Sequence, residues 1–174
     1  SEWWALKEIW NKGLLYKGFK IVPYCPRCGT PLSAQEVAQG YKLVKEKSAV
    51  VRFKVVGEDA YFLAWTTTPW TLPSNVALCV NPDDTYIKVK AVDGYTYYLA
   101  EALADKVLSQ LLSKEDKEEG KTAYEVLETY KGKDLEYKEY EPLYDCAKQS
   151  ADKQGKKGFF VTCDTYVTMS DGTG

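Results

Sequence analysis

Eleven consecutive residues, Trp65-Thr66-Thr67-Thr68-Pro69-Trp70-Thr71-Leu72-Pro73-Ser74-Asn75, bring together four threonine hydroxyls, two indoles and one amide. The two prolines impose an extended path and remove two backbone donors. Small hydroxyls beside indoles suit a pocket that grips a polar, ribose-like or aminoacyl ligand. Threonine is also a good strand residue, so plain sheet packing explains the triplet equally well if it is taken alone. Strand alternation would send Thr66 and Thr68 to one face and Thr67 to the other.

Two further stretches could carry chemistry. Cys25-Pro26-Arg27-Cys28-Gly29 has the spacing of half a zinc ribbon, two thiolates on a turn that Gly29 allows to close. Tetrahedral zinc needs two more ligands. The readings that remain are a half-site, a metal-free turn, or a site completed within the chain. Asp171-Gly172-Thr173-Gly174 has two glycines that let backbone approach a ligand closely, or that simply form a surface turn. Histidine is absent, which removes Ser-His-Asp and Cys-His catalysis and histidine-based zinc catalysis from this stretch of chain. Chemistry here must use hydroxyls, carboxylates, backbone groups or ordered water.

A chain of 174 residues can bury one real core. A net charge of −2 makes it no general magnet for nucleic acid, so RNA would be held at a short single-stranded end by local contacts. No apolar run is long enough to span a membrane, and Ser1-Glu2-Trp3-Trp4 has no signal-peptide character. Five scattered cysteines predict reduced thiols in the cytoplasm.

The elements that must position these residues are read from periodicity. Trp3, Leu6 and Trp10 share a helical face, with Ser1 as cap and Gly13 as stop. A basic-aromatic strand is expected over Leu14–Tyr24, and Ser33–Gly40 is read as a connector. Alternation predicts strands over Ala49–Val55 and Tyr86–Val92, and apolar runs predict strands over Tyr61–Trp65 and Val76–Val80. Asp93-Gly94 predicts a two-residue hairpin turn returning through Tyr95–Ala100. Glu101–Ser113 reads as an amphipathic helix and Lys114–Gly120 as a solvated charge run. Thr122 and Glu125 form a capping-box pattern that predicts a short helix to Lys131. Leu135–Tyr144 is expected to be extended, Ala147–Gly158 a polar surface loop, and Phe159–Met169 one or two strands. The sum is a mainly β chain with peripheral helices, an α+β fold with a barrel-like core dominated by antiparallel pairs. Residues 1–45 are expected to form a connector carrying the half zinc ribbon, and residues 46–174 the β-barrel domain.

The chain resembles the editing insertion, connective peptide 1, of the isoleucyl-tRNA synthetases. The likeness runs through Trp3-Trp4, Lys12–Tyr16, Pro23–Arg27, Glu36–Ala38, Gly40–Lys42, Ala64–Asn75 and Asp171–Gly174. The stretch Trp65–Asn75 is the most specific. Valyl and leucyl relatives carry Arg in place of Thr68 and an acidic residue in place of Trp70.

The resemblance implies hydrolysis of valine wrongly esterified to the isoleucine tRNA, with valyl-tRNA or valyl-adenylate as substrate. One methylene in an apolar pocket discriminates by only about 1–3 kcal/mol, a limit for which this family is itself the standing illustration. A second, smaller site supplies the rest. Carried over, Thr66, Thr67 and Thr68 line the catalytic site, with Thr68 the hydroxyl best suited to position substrate or water. Trp70 walls the aminoacyl pocket, Asn75 offers its amide to the 3′ CCA end, and Gly172, Thr173 and Gly174 approach the substrate. Trp65 stacks or, more simply, packs. Water attacks the ester carbonyl without a covalent nucleophile. The implied partners are the isoleucine tRNA and the rest of the synthetase, with no membrane and a monomeric state. Editing needs no cofactor, ATP and magnesium serve only the parent ligation, and zinc belongs to the full-length enzyme through Cys25 and Cys28. The family continues beyond the Gly-Thr-Gly loop to a histidine and to an aspartate that holds the substrate ammonium. This chain is therefore expected to edit weakly or not at all. The alternative is a non-catalytic module that binds the CCA end.

Overall fold

The computed structural model describes residues 1–113, 116 and 120–174. The expected charge run over 114–120 lies, apart from Asp116 and Gly120, outside the described residues. The chain divides into two compact units, Ser1–Lys45 and Glu46–Gly174.

In the first unit, α1 spans Glu2–Asn11, and no side chain caps its start. Its stripe is exposed, with Trp3 at 85% and Trp10 at 63%. The strand expected over Leu14–Tyr24 reduces to β1 (Tyr24–Cys25), paired antiparallel with β2 (Thr30–Pro31). Residues 14–23 have no ladder partner, and an extended segment without one is no strand. Ser33–Gly40 is more than a connector. It holds α2 (Ala34–Gln39), closed by a capping box in which Ser33 N donates to Glu36 Oε2 (2.7 Å) and Glu36 N donates to Ser33 Oγ (3.3 Å). No residue of this unit is buried.

The second unit is built on strands where alternation places them. β3 (Ala49–Lys54) and β4 (Tyr61–Thr66) pair antiparallel over their full length, from Ala49 opposite Thr66 to Lys54 opposite Tyr61. β5 is Ala77–Val80, β6 Thr85–Ala91 and β7 Thr96–Ala100. The β6–β7 connection is longer than the two-residue turn that Asp93-Gly94 predicts. Val92–Gly94 lie outside both strands, Ala91 N donates to Tyr95 O, and Gly94 takes φ 86°. β8 (Tyr124–Lys131) lies where the capping-box pattern predicts a helix, and β9 is Phe160–Cys163. The pattern at Thr122 loses because Tyr124, Val126, Thr129 and Tyr130 are strand-formers and the whole segment finds β6 as a partner.

Five strands form one sheet in the order β3-β4-β7-β6-β8, and β5 pairs with β9. Two pairings, β4 with β7 and β5 with β9, are parallel, although antiparallel signals dominate the sequence. The isolated bridges Val55–Tyr140 and Glu139–Phe160 link the end of β3 to β9 through residues 139–140. One sheet face closes over Phe53, Phe62, Val80, Tyr86, Tyr98, Tyr140 and Val161. The other lies under α3 (Glu101–Leu108), against Ile87, Val89, Leu99, Ala104 and Leu108. The expected loop over Ala147–Gly158 contains most of α4 (Asp145–Lys153).

Three phenols are buried whole in the core, and each oxygen has a partner. Tyr86 accepts from Asn81 N (2.9 Å), Tyr98 donates to Glu58 (2.7 Å) and Tyr140 donates to Asn75 (2.6 Å). Among the described residues no buried side-chain polar atom is left without a hydrogen bond. No helix among them is long and apolar enough to cross a membrane.

Candidate functional site

β4 ends at Thr66, and Pro69 starts a 3-10 helix over Pro69–Ser74. The turn between them is held by the threonines themselves. Thr68 N donates to Thr66 Oγ1 (3.0 Å), the two hydroxyl oxygens lie 3.4 Å apart, and Thr71 donates its hydroxyl to Thr68 O (2.8 Å). Thr66 and Thr68 therefore share a side, and Thr67 is exposed on the other.

This turn borders a cavity of about 780 Å³, within the range of small-molecule sites. Its floor is apolar, formed by core residues that include Phe53, Phe62, Val80 and Val161. Its polar lining is sparse: Thr66, Thr71, Ser74, Asn75, Tyr166, Thr168, Asp171 and the Gly172–Gly174 backbone. Asp171 is the only charged residue among the described lining residues, and Lys106 pairs with it at 3.0 Å.

Of the residues singled out from sequence, Trp65, Thr66, Asn75, Gly172, Thr173 and Gly174 meet at this cavity, across about a hundred residues of chain. Trp65 packs on Gly172, where an added Cβ would lie 3.2 Å from the indole. Gly172 has φ 81° and Gly174 φ 85°, and a Cβ on Gly174 would come within 2.2 Å of Ala100 Cβ. Both positions need glycine to bring backbone this close. Thr173 is buried, and its carbonyl accepts from Ala100 N (3.0 Å), which ties the loop to the β7–α3 junction.

Thr67, Thr68 and Trp70 are not on the lining. Thr68 acts on the site through Thr66, and its own carbonyl is used by Thr71. Trp70 does not wall the pocket as the resemblance implies, for it is 75% exposed. A 3-10 helix repeats every three residues, so Trp70 shares a face with Pro73, while Thr71 and Ser74 share the face on the cavity.

Asn75 lines the cavity with its amide already engaged. Nδ2 donates to Ala77 O (3.0 Å), and Oδ1 accepts from Tyr140 (2.6 Å). Sequence reasoning does not single out Tyr140, nor Thr71 or Asp171 as individual site residues. Thr71 and Asp171 lie inside the stretches that carry the resemblance, so their signal was at hand. Nothing in the local sequence of Tyr140 marks a phenol that reaches Asn75. Burial pushes its hydroxyl well above the usual phenol range, so it stays a protonated donor.

Cys25 and Cys28 sit in the first unit on the β1–β2 turn. Cys28 N donates to Cys25 Sγ (3.3 Å), and this bond, with help from the Cys28 thiol and the Arg27 amide, draws the Cys25 thiol below its usual range. That geometry suits a metal thiolate. Among the described residues no group of three or more possible ligands gathers, so these two thiolates do not complete a zinc site by themselves.

A family profile described as tRNA synthetases class I (I, L, M and V) matches residues 1–168. The isoleucine–tRNA ligase of Clostridium kluyveri is 52% identical over 174 residues, which is 100% of this chain and 15% of that protein. The Clostridium acetobutylicum ligase is 53% identical over 175 residues and the Thermus thermophilus ligase 46% over 180, with the same coverage of 100% and 15%. The chain thus spans about 15% of the length of the curated relatives it matches. A solved structure described as "The crystal structure of GlLeuRS-CP1" aligns with a TM-score of 0.52 and 15% identity, over 74% of this chain and 51% of that one. Over that aligned part the chain therefore has the fold of that domain.

Proposed function

Because the chain belongs to the class I tRNA synthetases of the isoleucine, leucine, methionine and valine group, we propose that it is the editing segment of an isoleucine–tRNA ligase, clearing valine wrongly esterified to the isoleucine tRNA. The observation that carries this reading is the convergence of Thr66, Asn75 and the Gly172–Gly174 backbone on one apolar-floored cavity. An apolar floor takes an aliphatic side chain and sorts it by volume. The hydroxyls and backbone groups at the rim suit the ribose and the ester. The substrate is the 3′ CCA end of valyl-tRNA, or valyl-adenylate. Editing takes no cofactor; ATP and magnesium belong to the ligation carried out by the rest of the synthetase, in the cytoplasm. Zinc would be held by Cys25 and Cys28 together with two further ligands.

In this reading the Thr66 hydroxyl, oriented by Thr68 N, holds the substrate or the attacking water against the ester carbonyl. The protein contributes position and hydrogen bonds and forms no covalent intermediate. The substrate ammonium needs a carboxylate. The one on the described lining, Asp171, is shared with Lys106 in an exposed pair, so it offers the ammonium only a weak, contested anchor. The 174-residue chain alone is accordingly expected to bind the aminoacyl end and to hydrolyse it slowly or not at all.

The test is deacylation of valyl-tRNA by the full-length ligase and by this chain. Thr66→Val, which keeps the shape and removes the hydroxyl, should lower the rate of the full-length enzyme by about tenfold or more. An unchanged rate would reject the role of Thr66. Rapid turnover by the isolated chain would reject the weak-anchor reading. Saturable binding of the CCA end with no hydrolysis by either protein would establish the binding-module alternative instead.

A further inference from the structure

The loop over residues 171–174 is fastened by its backbone and by one side chain. Gly172 packs on the Trp65 indole, Gly174 comes up against Ala100, and Thr173 O accepts from Ala100 N at 3.0 Å. None of these contacts can be given up to a ligand without moving the backbone. The side-chain contact differs. Asp171 Oδ1 accepts from Lys106 Nζ at 3.0 Å, and the two side chains are 72% and 60% exposed. Among the described residues this is the only ion pair that either group makes. Asp105, beside Lys106 in sequence, is engaged instead by the Tyr124 hydroxyl at 2.9 Å.

Lys106 stands in the last turn of α3, so that helix brings a cation to the one charged residue of an otherwise neutral lining. An exposed pair of this kind shifts an equilibrium by no more than about fivefold. The lysine ammonium is strongly hydrated on a flexible stem and returns to water readily. A ligand that carries both an ammonium and an aliphatic group has an advantage over it, because burying the aliphatic group on the apolar floor adds to binding.

We propose that Lys106 is an internal substitute for the substrate ammonium: it occupies Asp171 while the cavity is empty and yields that carboxylate to an incoming α-amino ester. The inference rests on the editing reading, which places the aminoacyl group in this cavity. Lys106 is a positioning residue here, since it touches no substrate atom and acts only through Asp171. It sets how much of the Asp171 charge the ligand gains. Removing it turns a contested anchor into a free one.

The experiment is titration of the 174-residue chain with two non-hydrolysable probes, 3′-valylamino-3′-deoxyadenosine and its isovalerylamino counterpart, which differ only in the ammonium. The parent chain should bind the valylamino probe no more than about twofold tighter than the other. Lys106→Met keeps an unbranched stem without the charge. It should raise the preference to about fivefold by tightening the valylamino probe alone. Lys106→Gln retains a donor for the loop and should show the same gain, which guards the test against a loss of folding in the first variant. Lys106→Arg should behave as the parent. Asp171→Asn should erase the preference, also in the Lys106→Met background, and salt at about 1 M should do the same. A preference that no substitution changes, with both probes still bound, overturns this proposal and leaves the editing reading standing. Equal weakening of both probes by Lys106→Met and Lys106→Gln would show that the lysine merely fastens the loop, and also overturns it. Binding of neither probe by the parent or any variant overturns the editing reading, and this inference falls with it.

Discussion

Tyr140 decides what Asn75 can offer. Its buried phenol fixes Oδ1 of the amide, which leaves Nδ2 as the only group of Asn75 with a hydrogen to spare for a ligand. Tyr140→Phe keeps the ring contacts with Phe53 and Phe159 and removes that one bond. Urea denaturation should show a loss of about 1–2 kcal/mol. Editing should fall mainly through KM, because Asn75 is freed to rotate. A variant as stable as the parent, with unchanged kinetics, would show that Asn75 needs no holding. Thr66 and Thr68 work as a pair in the same way. Only Thr66 faces the cavity, so Thr68→Ala should cost less activity than Thr66→Val, the reverse of the order that the sequence suggests.

At the scale of elements, the site depends on the Gly172–Gly174 loop pressing its backbone against β4 and β7. Gly172→Ala places a Cβ 3.2 Å from the Trp65 indole at φ 81°. Overpacking of about 1–3 kcal/mol is expected, plus about 1–2 kcal/mol for the left-handed backbone. Thermal unfolding should register this as a lower Tm, and deacylation in the full-length ligase should drop with it. An unaffected Tm would mean that the loop does not seat on Trp65. The strands of the sheet are legible because alternation survives where one face is more buried than the other, as in Ala49–Lys54. The helix Asp145–Lys153 is hidden by its polar composition; only Ala147 and Ala151, four residues apart, mark the side that lines the groove with the Pro69–Ser74 helix. The two capping-box patterns show the limit of local signals. The one at Ser33–Glu36 caps a helix. The one at Thr122–Glu125 is overruled by the pairing of β8 with β6, which no local window contains. The convergence on the cavity is readable only as separate stretches, because β4, the Pro69–Ser74 helix and residues 171–174 meet through tertiary folding.

At the scale of the molecule, one charged cluster ties the second unit together. Glu58, from the β3–β4 turn, meets Lys138 (2.6 Å), Lys88 on β6 (3.2 Å) and the Tyr98 hydroxyl on β7 (2.7 Å). Burial pushes the Glu58 carboxyl upward, but hydrogen bonds from Lys138, Tyr98 and Lys88 outweigh it and hold the group at about 2. A carboxyl depressed in the folded state stabilises the fold above its unfolded value near 4.5 and loses that contribution as pH falls toward 2. Urea midpoints should therefore decline between about pH 4.5 and 2, and Glu58→Gln should flatten that decline. A parallel decline in the variant would assign the acid sensitivity elsewhere. The account as a whole stands on the claim that the cavity beside Thr66 selects an aliphatic group by size once it is esterified to RNA. Its most direct test compares deacylation of valyl-tRNA and isoleucyl-tRNA, both charged on the isoleucine tRNA, by the full-length ligase and its Thr66→Val variant. The account predicts fast loss of valine, retention of isoleucine, and a valine rate reduced about tenfold or more in the variant. Equal loss of both amino acids, or a valine rate untouched by Thr66→Val, would contradict it.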